Sequence, residues 1–195
     1  DTERDGPCFG LICGHEWTQI PSPTYRNNGA TITAMTDGSL IMAGGAENRS
    51  LVERYDFETG TWATMNYMPS PAEFHQAVAL PGNRLLVAGG RAMASNFGEA
   101  PKVMLYRGNS NTWEIIPNLN STFSPNQLLN LPNGNILAVA NDAWAIFEPA
   151  TERWFLEGAF WLPNGSTVRG DVVRVLPDGS LLIMEQGWDE TVVAL

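Results

Sequence analysis

The 195-residue sequence predicts an all-β domain built from four copies of one strand-turn-strand unit, and three observations predict it. The first is compositional: 44% hydrophobic and 16% charged residues with 19 Gly and 13 Pro are too apolar for disorder and rich in turn formers. The second is a recurring pair of apolar runs joined by a Gly turn, and the third is a series of tryptophans at matching distances behind those turns. A chain of this length buries most of its surface as a single domain.

Each element follows from the repeat. The paired runs are ATITAM-TDGS-LIMAGG from Ala30, QAVAL-PGNR-LLVAGG from Gln76, LLNL-PNGN-ILAVA from Leu128 and VVRVL-PDGS-LLIME from Val172. Their turn glycines Gly38, Gly82, Gly134 and Gly179 lie 44, 52 and 45 residues apart by subtraction. Asp-Gly, Asn-Gly and Pro-Gly between β-prone runs are hairpin signals, because glycine supplies the positive φ of a tight turn. Behind three of the hairpins come VERYDFETGTW, KVMLYRGNSNTW and WAIFEPATERW, ending at Trp62, Trp113 and Trp154. Each unit therefore reads as four strands: a and b form the hairpin, c runs through Tyr55, Tyr106 or Phe147, and d runs through the tryptophan.

The pairs Gly44-Gly45 and Gly89-Gly90, followed by Tyr55-Asp56 and the later tryptophan, resemble the Kelch motif over roughly residues 15–195. That resemblance implies a β-propeller with four Kelch-like four-stranded blades, preceded by a separate segment at residues 1–14. It specifies architecture and almost nothing about ligand. Units three and four carry Val139-Ala140 and Glu185-Gln186 where the paired glycines are expected, so their b-to-c corners should differ. The phase of the ends adds an expectation. HEWTQIP around Trp17 is a d-type segment 45 residues before Trp62, while TVVAL is a c-type segment without its d partner. Pairing Trp17 to Ile20 beside Thr191 to Leu195 closes the ring with no exposed edge; a half-ring that dimerises, or a piece of a longer propeller, is the other reading.

In such a propeller the a-to-b and c-to-d turns share one face, short and Gly-rich here. The long d-to-a connections, Pro21 to Asn28, Met65 to Phe74, Pro117 to Pro125 and Glu157 to Gly170, share the other with Arg91 to Pro101. Variable loops on a rigid scaffold are where binding residues gather. Aligning the strands puts Asn28, Glu73, Ser124 and Arg169 in equivalent places at a channel mouth, with Ala30, His75, Asn126 and Asp171 two residues further in. This mixed set makes Asn28, Glu73, His75, Asn126, Arg169 and Asp171 the candidate ligand-binding residues, or else groups that satisfy one another around a narrow channel. Trp17, Trp62, Trp113 and Trp154 recur in register and are expected to pack between blades. Trp161 and Trp188 fall outside the register and are candidates for stacking on a sugar or gripping a protein, while Trp144 belongs in strand c.

The formal net charge of −10 works against attraction to nucleic acid or anionic lipid, and no apolar run is long enough to span a membrane. Cys8 and Cys13, four residues apart by the intervening FGLI, fit a local disulfide or two free thiols. Two cysteines and His15 give only three ligands, too few for a structural zinc site. Sequons at Asn48, Asn120 and Asn164 all fall on the long-loop face. With the disulfide, they favour a secreted or cell-surface location. Catalysis has little to build on. The copper radical oxidases that also carry Kelch-like propellers need a Tyr joined to Cys and a histidine pair, whereas this chain has only His15 and His75 and no cysteine in the repeats. No GxSxG turn is present, and Glu73 with Asp171 as a carboxylate pair rests on an unknown separation. The sequence thus predicts a non-catalytic extracellular module without cofactor or metal that binds a protein or glycan through the long-loop face, with homo-oligomerisation left open, the alternatives being a structural subunit of an extracellular assembly and, last, a propeller-based hydrolase or oxidase.

Overall fold

The computed structural model describes residues 19–25, 28–90, 102–117, 123–141, 143–161, 167, 169–170, 172–185 and 191–194. Residues 1–14, with Cys8 and Cys13, lie outside them. Among the described residues all regular structure is β. Blade one comprises β1 (Thr31–Ala34), β2 (Leu40–Ala43), β3 (Val52–Asp56) and β4 (Thr61–Thr64); blade two comprises β5 (Gln76–Leu80), β6 (Arg84–Ala88), β7 (Val103–Arg107) and β8 (Thr112–Ile116). Blade three is β9 (Gln127–Asn130), β10 (Ile136–Ala140), β11 (Ala143–Glu148) and β12 (Arg153–Ala159), and blade four is β13 (Val172–Val175), β14 (Leu181–Glu185) and β15 (Thr191–Ala194). Each blade is an antiparallel meander in chain order. Among the described residues no helix is long and apolar enough to cross a membrane.

Successive blades meet through their first strands, β1 with β5, β5 with β9 and β9 with β13. The second strands, β2, β6 and β10, are buried on both sides, which is why LIMA, RLLVA and ILAVA read as nearly continuous apolar runs rather than alternations. The three larger cores lie between blades, and a smaller cluster of Phe123, Ala138 and Ala145 lies against blade three itself. Ile41 and Val52 pack with Leu85, Met104 and Tyr106; Leu86 and Leu105 pack with Ile136 and Phe147; Leu137 and Val139 pack with Val173 and Ile183. Each such buried side chain contributes roughly 1.5–3 kcal/mol.

The c and d strands meet as expected, with Tyr55 opposite Trp62, Tyr106 opposite Trp113 and Phe147 opposite Trp154. Trp144 lies in β11, half-buried.

Three expectations need correction. In blade two the residue equivalent to Gly38, Gly134 and Gly179 is Asn83, at φ 57°, with Gly82 one position earlier. The left-handed turn positions are therefore 45, 51 and 45 residues apart by subtraction, and asparagine serves because its short polar side chain tolerates that conformation. At the b-to-c corner of blade three, Ala140 and Asn141 replace the glycine pair, one residue later than expected, with Asn141 at φ 42°. Finally, β12 runs on to Ala159 past a bulge between Ile146 and Phe147, so the last long connection starts later than Glu157. Ring closure called for residues 17 to 20 against β15. Trp17 lies outside the described residues, and among those described β15 pairs only with β14.

Candidate functional site

Among the described residues of the long loops, three connections converge on the start of β5. The b-to-c corner of blade one is laced to the connection between blades one and two: Met68 N–H donates to Ser50 O (2.8 Å), Ala72 N–H to Arg49 O (2.9 Å) and Gly45 N–H to Ala72 O (3.0 Å). The connection ahead of β1 joins the same cluster, as Ala46 N–H donates to Asn28 O and Phe74 N–H to Gly29 O, both at 2.8 Å. Close approach is built in here. A Cβ on Gly44 would stand 2.4 Å from Ala72 O and 2.8 Å from the His75 ring, which only glycine avoids.

These contacts seat Glu73, Phe74 and His75 in succession. Glu73 is buried and accepts from Arg49 Nε at 3.2 Å. His75 is only 2% exposed, and its Nε2 is hydrogen-bonded to the Thr31 hydroxyl at 2.9 Å. Burial disfavours the imidazolium and lowers its pKa to about 4, so His75 is neutral at physiological pH. Phe74 between them has φ 54°, costly for a bulky residue, yet half of its surface is exposed.

The other candidates divide. Asn28 is exposed beside this cluster, and Asn126 is exposed on blade three, its N–H donating to Val139 O at 2.7 Å. Arg169 is exposed on the approach to blade four. The structure thus brings Asn28, Glu73 and His75 together and gives Asn126 and Arg169 to later blades. Between blades three and four the joining role falls to Gln127, whose amide donates to Gly170 O and accepts from Val173 N–H, each at 3.1 Å. Trp161 is 62% exposed and bridges to Thr167. Asn48 is half-buried with its carbonyl accepting from Leu51 N–H. Asp171, Trp188, Asn120 and Asn164 lie outside the described residues.

One residue escaped the sequence reading. Glu53 is fully buried; one carboxylate oxygen accepts from Thr24 N–H at 3.1 Å and the other has no partner among the described residues. The signal was available in the strand alignment, because Glu53 stands where blades two to four carry Met104, Ala145 and Val193.

No protein-family profile matches the chain. It is 32% identical over 91 residues, 44% of its length, to Kelch-like protein 21 of Rattus norvegicus, and 33% identical over 89 residues, 43% of its length, to Kelch-like protein 21 of Mus musculus. The Homo sapiens protein of that name is 33% identical over 70 residues. The chain spans about 15% of the length of the rodent relatives. In sequence similarity and in the a-b-c-d order of their strands, the repeats of this chain are Kelch-like.

Proposed function

We propose that the chain is a protein-binding propeller module that engages its partner through the long-loop face, with Phe74 as the central anchor. The observation that carries this reading is Phe74 itself. A bulky side chain in the left-handed region costs on the order of 1–3 kcal/mol, and such strain persists where the surroundings over-determine it, as at ligand clamps. Aromatic side chains, Phe among them, are also enriched in the cores of protein interfaces. The Arg49–Glu73 pair and the Gly29 carbonyl hold it in place.

Affinity capture with the full chain tests the reading. Phe74→Ala should lose the captured partner while keeping the wild-type melting profile, and Phe57→Ala, an exposed aromatic on the short-turn face, should keep it. Loss with Phe57→Ala and retention with Phe74→Ala would place binding on the opposite face.

The same proposal takes the ring as closed by the segment around Trp17 lying beside β15. A glycan ligand at Trp161 and a secreted or cell-surface location are its finer parts. They rest on the 62% exposure of Trp161, on Cys8 and Cys13, and on the sequons at Asn48, Asn120 and Asn164. A glycan array probed with wild type and Trp161→Ala, and a mass shift on deglycosylation of the secreted chain, check them.

A further inference from the structure

The strand-d tryptophans occupy equivalent places in the fold but differ in hydrogen bonding. Trp62 Nε1 donates to Pro21 O at 2.8 Å and Trp113 Nε1 donates to Asn66 O at 2.9 Å, so each of these indoles is tied to a main-chain carbonyl of a neighbouring connection. Trp154 Nε1 is enclosed and has no partner among the described residues. A buried donor left unpaired costs about 1–3 kcal/mol, and native structures keep few of them.

The seam between blades one and two shows what is missing. There Asn66 works as a staple. Its N–H donates to Asn111 Oδ1 at 3.0 Å, its side-chain amide donates to Asn111 O, and its carbonyl accepts from the Trp113 indole. Tyr106 steadies the same Asn111, its hydroxyl donating to Oδ1 at 3.0 Å. Counting from the tryptophans, the seam between blades two and three has Pro117 in the place of Asn66, Glu152 in the place of Asn111 and Phe147 in the place of Tyr106. Each change removes part of the staple. Proline has neither an N–H nor a side-chain amide, phenylalanine has no hydroxyl, and the Glu152 carboxylate is taken up by Arg84 and Arg107. This seam stands open as a groove of about 620 Å³, walled by Glu114, Ile116 and Pro117 on the blade-two side and by Arg153 and Trp154 of blade three. That volume falls within the roughly 300–1,000 Å³ range of ligand clefts.

We propose that this groove binds an extended peptide in the place that Asn66 fills in the sister seam, with a main-chain carbonyl of the peptide accepting from Trp154 Nε1 and an acidic side chain pairing with Arg153. The occupant is a peptide because both sister indoles donate to main-chain carbonyls, and the blade presents the third indole in the same way. The acidic side chain follows from Arg153, which stands where the sister strands carry Thr61 and Thr112 and lies exposed in the groove wall. The carboxylates beside it, Glu114 and Glu152, are already paired with Arg107. The site uses none of the residues that seat Phe74, so it stands apart from binding at the long-loop face.

Proton–nitrogen NMR of the ¹⁵N-labelled full chain reads the Trp154 indole directly, its signal being the one absent from Trp154→Phe. The probes are the capped peptide ATMNYM, which copies residues 63–68 around the staple, and the series of that peptide with aspartate placed at each position in turn. Binding should move the Trp154 indole proton downfield and saturably while the Trp62 and Trp113 indoles, already bonded, stay where they are. One aspartate peptide should bind about fivefold tighter than the parent, a gain lost in Arg153→Thr. Pro117→Asn restores the staple residue, and in it the peptide should no longer move the Trp154 signal. A Trp154 indole that no peptide shifts overturns the proposal, as does a Pro117→Asn chain that binds like the wild type. A series in which aspartate brings no gain at any position refutes the pairing with Arg153.

Discussion

His75 is a neutral imidazole held in a place that water does not reach. Its folded-state pKa is depressed to about 4 from 6.5 by burial, so below pH 6.5 the unfolded chain takes up a proton that the folded chain refuses. The stability associated with the neutral ring is complete above pH 6.5 and is lost as pH falls towards 4, with no further loss from this group below that. At about 1.4 kcal/mol per pH unit, the loss between pH 7 and pH 5 amounts to about 2 kcal/mol. Urea midpoints should record this in the wild type and show much less of it in His75→Asn, which installs the residue that blade three carries at the same position. A wild type equally stable at both pH values would contradict the account. Phe74, next in the chain, belongs to the same economy of strain: the structure tolerates its backbone because the Gly29 carbonyl and the buried Glu73 leave the segment no alternative path.

At the scale of strands and turns, the repeat sets the geometry and individual residues modulate it. The c-to-d turns place a left-handed residue at Gly60, Asn111 and Glu152. Glycine and asparagine suit that conformation, whereas glutamate does not. Glu152 is nonetheless joined to Arg84 Nη1 at 2.6 Å and to Arg107 Nη1 and Nη2 at 2.9 and 2.6 Å, tying blade two to blade three. Hydrogen bonds from Arg107, then those from Arg84, hold its carboxyl below the usual carboxylate range. Glu152→Asn keeps a residue suited to the turn and removes both guanidinium contacts. Because the network is partly exposed, the expected cost is about 1 kcal/mol and should shrink in high salt; a stabilised variant would mean that the backbone strain outweighs the network. The corner glycines give a sharper contrast. A Cβ at Gly89 would fall 1.9 Å from Pro125 O of the next blade, whereas one at Gly38 meets nothing within 4 Å. Gly38→Ala should cost only the left-handed penalty of about 1–2 kcal/mol, and Gly89→Ala considerably more, a ranking that thermal melts of the two variants decide.

Across the whole molecule, the three larger apolar clusters lie in the seams between blades, and only a smaller one around Phe123, Ala138 and Ala145 is built from blade three and the connection entering it. Leu105 and Ile136 come from different blades and share one cluster. Leu105→Ala should therefore lower stability by about 2–5 kcal/mol and do so in a single calorimetric transition, because opening that seam exposes both neighbours. Two resolved transitions would show that the blades on either side melt independently.

The sequence alone determined the repeat: Gly-turn hairpins, strand-c aromatics and strand-d tryptophans recur because a four-stranded meander needs a left-handed turn and paired aromatics at set positions along the chain. Those requirements are local, and so they can be read in residue order. It also named Asn28 and Glu73 as equivalents at the channel mouth, with His75 two residues further in. What it left open was which of them face solvent. Only the tertiary structure decided that Glu73 and His75 are buried while Phe74 between them is displayed, that Glu53 is enclosed, and that the seam after blade two holds a groove. Burial depends on what a neighbouring blade, some 45 residues away, puts against a side chain, and that packing leaves no periodic trace in the chain itself.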